Sequence, residues 1–301
     1  MTVNEISQNP YIEIQYAKSP YRVYYAKNPS KNNGDTFEKK KEPYSVENSV
    51  EDFSYKLAKL IIDNKCDKDN LKKLIRSYVP RTKVNEDRRL LFVNGASAMY
   101  LYRTNVSSNN KIHTPRKQII VDLSKQETMP NVFFNDLVHE MTHNLQINKE
   151  KEIMKKIYKD FFEPSVGTGR FYVNLNKVTT KHAEDLISEN YNKKLGVIKF
   201  ITRKNYTDRR DSGSYHVPEH ERLSVMQVYD LNVLMILAQE EEAYDIADKM
   251  EKKFCDSKLN QRKLARRRRM FKDLKEIVLD DLKNLGMDEE KIKEYKDLIC
   301  G

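Results

Sequence analysis

The stretch Val138-His139-Glu140-Met141-Thr142-His143 decides how the rest of the chain is interpreted. It has the form H-E-x-x-H. On a helix, His139 and His143 lie one turn apart on the same face, so both imidazoles can reach one metal ion. Glu140 is rotated by about 100° from His139, so its carboxylate can stand beside the metal and accept a proton from water. The stretch therefore predicts a metal site with a general base next to it.

The flanking residues predict that this stretch is helical. Pro130 stands near the expected start, where its missing N–H costs nothing, and Thr128 or Asn131 can cap the first turn. Apolar residues recur at helical spacing on one side: Phe134, Leu137, Val138, Met141 and Leu145. Polar residues share the other side: Asn135, His139, His143 and Gln146. This is the pattern of a buried helix with one polar face turned to a cleft.

The composition favours a predominantly helical α+β protein. Of the 301 residues, 39% are hydrophobic and 33% are charged, and there are only 8 glycines against 18 tyrosines. Few glycines and long Lys/Glu-rich runs argue against a β-sandwich with many tight turns. The length suits one large domain or two modest ones.

The charge balance is basic. Lys and Arg together number 55 against 45 Asp and Glu, a net charge of +10. Such a balance predicts an acidic partner, which can be a nucleic acid, an anionic membrane or an acidic protein surface, although solubility alone explains it equally well. Cations cluster in the C-terminal part: Arg262, Lys263, Arg266, Arg267, Arg268, Arg269 and Lys272.

Three cysteines, Cys66, Cys255 and Cys300, are too few and too widely spaced for a disulfide framework, which favours folding in a reducing compartment. The N-terminus lacks the charged and apolar regions of a Sec-type signal, and no stretch is apolar enough to span a membrane. We therefore expect a protein that is cytoplasmic as synthesised, without a transmembrane segment.

The chain divides into three predicted parts. Residues 1–49 form an N-terminal arm and a polar linker, residues 50–250 a metal-binding domain, and residues 251–301 a basic helical C-terminal appendage. Helices are expected from Val50, over Asp69–Tyr78 and from Pro218 onward.

A small mixed sheet is predicted directly before the metal helix. Leu90–Val93 and Ala98–Arg103 flank Asn94-Gly95, a strong hairpin signal, and Lys117–Leu123 is a further strand. The sheet should pack against the H-E-x-x-H helix and leave a cleft between its edge and the helices. An edge strand there can hold an extended peptide by main-chain hydrogen bonds.

A catalytic zinc site needs three protein ligands and an open position, so a third ligand must lie elsewhere in the chain. Carboxylates and histidines that follow the motif are candidates: Glu184, Glu189, Glu219, Glu221, His182, His216 and His220. Asp122 or Asn135 can orient a ligand histidine. Candidates for stabilising an oxyanion are Tyr215, His216 and Tyr229, with Tyr215 taken first.

With Glu221-Arg222-Leu223-Ser224-Val225 added, the two motifs resemble the gluzincin metalloproteases, and in particular clostridial neurotoxin light chains and injected bacterial effector proteases. The resemblance covers two short motifs within residues 131–230. It implies a zincin-like fold in which Zn²⁺ is held by His139, His143 and Glu221, with Glu140 as the general base. It also implies a zinc endopeptidase that cleaves a specific host protein after delivery by a non-Sec route.

Two other functions compete with this one. The cluster between Arg262 and Lys272 supports a nucleic-acid or anionic-surface binding protein in which the zinc site is structural or lost. The same cluster can instead dock a protease on an acidic partner. A metal hydrolase that does not cleave proteins is the third possibility.

Overall fold

The computed structural model describes residues 46–88, 96–106, 112–161, 168–191, 222–255 and 261–301. Several predictions fall outside these ranges: most of the N-terminal arm, the hairpin at Asn94-Gly95, and the residues from 192 to 221. Within the described ranges the protein is mostly helical, with one small mixed sheet, which confirms the predicted fold class at this level. None of the described helices is long and apolar enough to cross a membrane.

The helices are α1 (Val46–Ile62), α2 (Lys68–Tyr78), α3 (Lys125–Thr128), α4 (Pro130–Phe161), α5 (Thr168–Tyr191), α6 (Arg222–Phe254), α7 (Gln261–Asn284) and α8 (Glu289–Cys300). The strands are β1 (Lys83–Glu86), β2 (Ala98–Val106) and β3 (Ile112–Val121). The predicted helices from Val50 and over Asp69–Tyr78 correspond to α1 and α2, and the predicted strands at Ala98 and Lys117 correspond to β2 and β3.

The sheet has the order β1-β3-β2, so β3 is central and β1 and β2 are edge strands. β1 runs parallel to β3, with Lys83 opposite Gln118, and β2 runs antiparallel to β3, with Ala98 opposite Val121. Buried residues on β3, such as Ile119, anchor the sheet on α4 and α1. Among the described residues no strand pairs with the other edge of β2, and the Tyr100 N–H on that edge faces α4.

The H-E-x-x-H stretch lies in α4, which begins at Pro130 as the sequence predicts. The apolar stripe is buried, since Phe134, Leu137 and Met141 are fully inaccessible to solvent. Each such side chain stabilises the fold by roughly 1.5–3 kcal/mol. The helix continues for 32 residues, because the charged residues after position 149 extend it without a break.

The apolar side chains form two large clusters. The first joins α1, α2 and the sheet to the first half of α4 and the last part of α6. The second joins the last part of α4, the first half of α6 and the three helices α5, α7 and α8. Both α4 and α6 pass through both clusters.

The helices α4 and α6 are antiparallel neighbours. The hydrogen bonds between them show this, because the residue number on α6 falls as that on α4 rises. Asn135 Nδ2 donates to Glu251 Oε2 at 2.6 Å, Gln146 Nε2 to Glu242 Oε2 at 3.0 Å, and Asn232 Nδ2 to Tyr158 Oη at 3.4 Å. The two polar faces meet midway along this pair, between the two apolar clusters.

The C-terminal segment is helical, as predicted. Its helices also contribute fully buried side chains to the second cluster, among them Phe271, Leu274 and Leu282 of α7 and Tyr295 of α8. A charged helix can do this because its cations occupy one face and its apolar residues the other. Residues 261–301 thus pack into the body of the molecule rather than extend from it, while the domain boundaries stay predictions.

Candidate metal centre

Three potential ligand side chains meet where α4 and α6 face each other. The Nε2 atoms of His139 and His143 are 2.9 Å apart. Glu240 Oε2 lies 3.4 Å from His139 Nε2, and Glu240 Oε1 lies 3.3 Å from His143 Nε2. Within the described ranges this is the one group of three or more such residues whose ligand atoms converge closely enough to hold a metal ion.

The group is buried, but it is not sealed. The two histidines are exposed by less than a tenth, whereas the side chain of Glu240 is 19% exposed. The donor atoms are therefore held by packed helices while one side of the group can be reached from outside. That combination suits a site at which a small ligand or a reacting group must bind.

Local packing explains why Glu240 points inward. Ala243 and Ala247 follow it at helical spacing on the same face of α6, and both are fully buried. Two small side chains on one face allow the backbones of α4 and α6 to approach closely. A carboxylate one turn before them must then lie over α4, where the histidines are.

The charges favour a cation here. Burial opposes ionisation of Glu240, but the charges and hydrogen bonds of His143 and His139 outweigh it and hold the pKa of Glu240 well below its usual range. An ionised, largely buried carboxylate beside two imidazoles is the donor set that binds divalent transition metals in proteins.

Glu140 is held beside the group by the sheet. Its Oε2 atom accepts a hydrogen bond of 2.8 Å from the backbone N–H of Tyr100 on β2. Burial raises the pKa of Glu140 to about 8; the charge of His139 opposes this shift, and the charge of Glu240 adds to it. A carboxyl group with such a pKa is matched to proton transfer near neutral pH.

Tyr244 closes another side of the group. Its ring centroid lies 4.3 Å from that of His139, and the guanidinium carbon of Arg267 lies 4.5 Å from the same Tyr244 centroid. Burial raises the pKa of Tyr244, and the charges of Glu240 and Glu140 add to the shift. Among the described residues its hydroxyl has no hydrogen-bond partner, so this donor is available to a bound molecule.

Glu221 and Tyr215, the predicted third ligand and oxyanion donor, lie outside the described residues and stay predictions, as do Glu219, His216 and His220. Candidates on α5 are described, and they do not reach the histidines: Glu184, Glu189 and His182. His182 instead contacts Tyr229, whose hydroxyl is 3.0 Å from its Nδ1 atom. Tyr229 is thereby placed in the second apolar cluster, away from the metal group.

The two residues expected to orient a histidine have other partners. Asn135 donates to Asp248 and Glu251 of α6, and Asp122 accepts from the backbone and hydroxyl of Ser124. Gln146 does form a hydrogen bond with a ligand histidine, since its Oε1 atom is 3.1 Å from His143 Nδ1.

Sequence reasoning did not consider Glu240 or Tyr244. Glu240 is the first of three consecutive glutamates, and nothing in its immediate neighbours separates it from the other two. A signal does exist in the spacing, because only Glu240 lies three and seven positions before the small residues Ala243 and Ala247. Tyr244 lies one turn after Glu240 and shares its face.

The basic cluster has intramolecular partners. Arg267 is buried and forms an ion pair with Asp248, Arg268 pairs with Asp245, and Arg266 donates to the backbone oxygen of Tyr191. Arg269 and Lys272 pair along their own helix with Asp273 and Glu276. The cluster is therefore engaged within the molecule, although its exposed members remain at the surface.

Comparisons with protein-family models, with curated proteins and with solved structures give no match to this chain.

Proposed function

We propose that this chain is a zinc-dependent endopeptidase whose metal is held by His139, His143 and Glu240. The convergence of these three side chains, with each histidine Nε2 within 3.4 Å of a Glu240 oxygen and next to the buried carboxylate of Glu140, carries the proposal. Glu240 takes the place that the resemblance gives to Glu221.

The donor distances support zinc. A tetrahedral zinc ion with bonds of about 2.0–2.2 Å has its ligand atoms about 3.3–3.5 Å apart. The distance from Glu240 Oε1 to His143 Nε2 is 3.3 Å and that from Glu240 Oε2 to His139 Nε2 is 3.4 Å, and each falls in this range. The 2.9 Å between the histidine nitrogens is shorter, and a small rotation of either ring brings it to the same value.

Bound zinc would supply a Lewis acid that polarises a peptide carbonyl and makes water more acidic. Glu140 accepts the proton of the attacking water and transfers it to the leaving amine. The N–H of Tyr100 holds the carboxylate of Glu140 in place for both transfers. Fixing the base in this way removes the cost of orienting it during the reaction.

Tyr244 is the described residue best placed to stabilise the oxyanion. Its hydroxyl has no hydrogen-bond partner among the described residues, and it is close enough to Glu240 and Glu140 for their charges to raise its pKa. A neutral phenol can donate a hydrogen bond to the developing negative charge. Tyr215 keeps the same role as a prediction.

An extended peptide is the substrate class that fits. β2 is an edge strand, and its Tyr100 N–H already points away from β3 towards α4. A peptide laid along this edge gains main-chain hydrogen bonds and passes beside the metal group. A zincin-like fold, a host protein as substrate and delivery into a host cell remain proposals based on the resemblance.

The first experiment measures zinc per chain in the wild type and in single variants. We expect near-stoichiometric zinc in the wild type, in Glu140→Gln and in Glu221→Ala, and loss of zinc in Glu240→Ala. Glu241→Ala is the matched control, because Glu241 is the next residue on α6 and pairs with Lys275 instead. Loss of zinc in Glu221→Ala but not in Glu240→Ala would overturn this ligand set.

The second experiment measures peptide-bond cleavage in an unfolded protein substrate. Activity should require zinc, should disappear with a chelator, and should be lost in Glu140→Gln although that variant keeps its metal. A wild type that binds no zinc at micromolar free metal, or a Glu140→Gln variant as active as the wild type, would refute the endopeptidase.

Nucleic-acid binding by the Arg262–Lys272 cluster stays the alternative. The intramolecular partners of Arg266, Arg267 and Arg268 give it no specific support.

A further inference from the structure

Gln146 is a buried polar residue that the chemistry above does not use. It is only 2% exposed and lies between α4 and α6, three residues after His143. It makes three hydrogen bonds, one to His143 and two to α6. A buried side chain with this many partners constrains the groups that it joins.

The orientation of its amide follows from the partners on α6. The Nε2 atom of Gln146 lies 3.2 Å from the backbone oxygen of Gln239 and 3.0 Å from Glu242 Oε2. Both of these atoms can only accept, so the NH₂ end of the amide must face them. The oxygen end therefore faces His143.

The orientation of this amide determines which ring nitrogen of His143 carries a proton. Gln146 Oε1 can only accept, so His143 Nδ1, at 3.1 Å, must carry the proton and donate it. When the ring is neutral, His143 Nε2 then keeps the lone pair that a metal needs, and that atom is the one that faces Glu240 and His139. We propose that Gln146 is a positioning residue that sets the tautomer and the ring orientation of His143 for metal binding.

Among the described residues, no side chain forms a corresponding hydrogen bond with His139. Its buried Nδ1 atom has no hydrogen-bond partner. The two histidines of the motif are thus unequal: α6 prepares His143 through Gln146 and leaves His139 free to adjust. Because Gln146 bonds to residues on both sides of Glu240, it also links the ligands of α4 to the helix that supplies the third.

Only the expected effect of Gln146 on metal affinity rests on the proposed function. Groups that orient a ligand histidine are generally worth about 10–100-fold in metal affinity. We therefore expect Gln146→Met, which keeps the length of the side chain and removes its amide, to weaken zinc binding about 10–100-fold. Tautomer preference in the metal-free protein does not depend on whether zinc is the natural ligand.

The first test is NMR of the metal-free protein at pH 8 with ¹⁵N-labelled histidine. The chain has six histidines, and His143 is assigned by the signals that disappear in His143→Gln. The wild type should show His143 protonated at Nδ1, and Gln146→Met should show a mixture of tautomers. A wild type in which His143 carries its proton on Nε2 would overturn the proposal.

The second test compares zinc affinities with a matched control. Asn144 is also a buried amide, but it contacts Lys117 and Thr82 instead of a ligand histidine. Asn144→Leu should therefore lower thermal stability without changing zinc affinity or the tautomer of His143. Equal losses of affinity in Asn144→Leu and Gln146→Met would show that Gln146 acts only through general stability.

A rescue variant keeps the proposal testable if Gln146→Met folds poorly. The double variant Gln146→Glu/Glu242→Gln exchanges donor and acceptor between α4 and α6, so an acceptor still faces His143 Nδ1. It should restore the Nδ1–H tautomer and most of the affinity, whereas Gln146→Glu alone places two carboxylates together and should not. Absence of zinc binding in the wild type would refute the proposed function and leave the NMR result to decide this inference.

Discussion

Glu240→Gln is the sharpest test of the metal centre, because it removes one ligand charge and keeps the shape of the side chain. Glu240 contributes one of the three ligand side chains, and its two oxygens lie 3.3 and 3.4 Å from the Nε2 atoms of His143 and His139. Two histidines on one helix cannot complete a three-ligand site. We expect an affinity loss of at least about 100-fold, the upper end of what outer-shell groups cost.

The loss can be measured as a change in thermal stability. At free zinc of about 100 times the wild-type Kd, bound metal stabilises the folded state by about 2.7 kcal/mol. An entropy of unfolding of about 2.1 cal/mol/K per residue gives about 0.6 kcal/mol/K for this chain, so zinc should raise the wild-type Tm by about 4 °C. After a 100-fold loss the stabilisation is about 0.4 kcal/mol, and the shift falls below about 1 °C.

The assay is a thermal melt of each protein with and without zinc, so that each variant is its own reference. This comparison cancels any effect of the substitution on the metal-free fold. Glu241→Gln serves as the control and should show the full wild-type shift. A Glu240→Gln variant that still gains about 4 °C from zinc would refute the role of Glu240 as a ligand.

Two further predictions concern the scaffold. Burial lowers the pKa of Lys117 to about 8, whereas in the unfolded chain the pKa is about 10.4. Between these two pH values the unfolded chain binds a proton that the folded protein does not. The free energy of unfolding therefore rises with pH, by up to about 3 kcal/mol. Urea unfolding at pH 7.5 and 10 should show this rise in the wild type relative to Lys117→Met, and parallel pH dependences would contradict it. Leu274→Ala should lower the free energy of unfolding by about 2–5 kcal/mol because Leu274 is fully buried in α7, while the exposed control Lys272→Ala should change it little. A loss below about 1 kcal/mol for Leu274→Ala would mean that α7 is an appendage after all.

The histidine motif could be predicted from sequence because it is local. His139 and His143 are one turn apart on any helix, and the apolar residues beside them are enough to predict that helix. The same holds for α1, α2 and the strands at Ala98 and Lys117, whose patterns are short and periodic.

Glu240 could not be predicted in the same way. Which carboxylate meets the histidines depends on how α6 is aligned along α4, and this alignment is set by packing between residues far apart in the chain. The first half of α6 gave no periodic contrast either, since its residues from Val228 to Leu237 are all buried. The resemblance directed attention to Glu221, at the start of the helix, whereas the described carboxylate lies in its middle.

Charge likewise misled the interpretation of the C-terminal segment. Counted along the sequence, the cations of α7 are as numerous as its apolar residues, and they suggest a helix outside the core. On the helix surface, Met270, Phe271 and Leu274 share one face, and that face is buried. The arrangement of residues around the helix therefore matters more than their number.

The passage of α4 and α6 through both apolar clusters has a consequence for the dynamics of the molecule. Each of these helices is packed in both clusters, so opening one cluster leaves the helix held in the other, and their central turns should exchange amide hydrogens only when the whole molecule unfolds. The sheet contributes buried residues to the first cluster and to a small separate one around Leu101 and Ile120, and its outer strand β2 can open separately. His139, His143 and Glu240 thus stand on the slowest-exchanging part of the protein, while Tyr100, which holds Glu140, stands on a faster one. Hydrogen exchange should therefore be slow at the backbone amides around the three metal ligands and faster at Tyr100, whose N–H holds the general base Glu140.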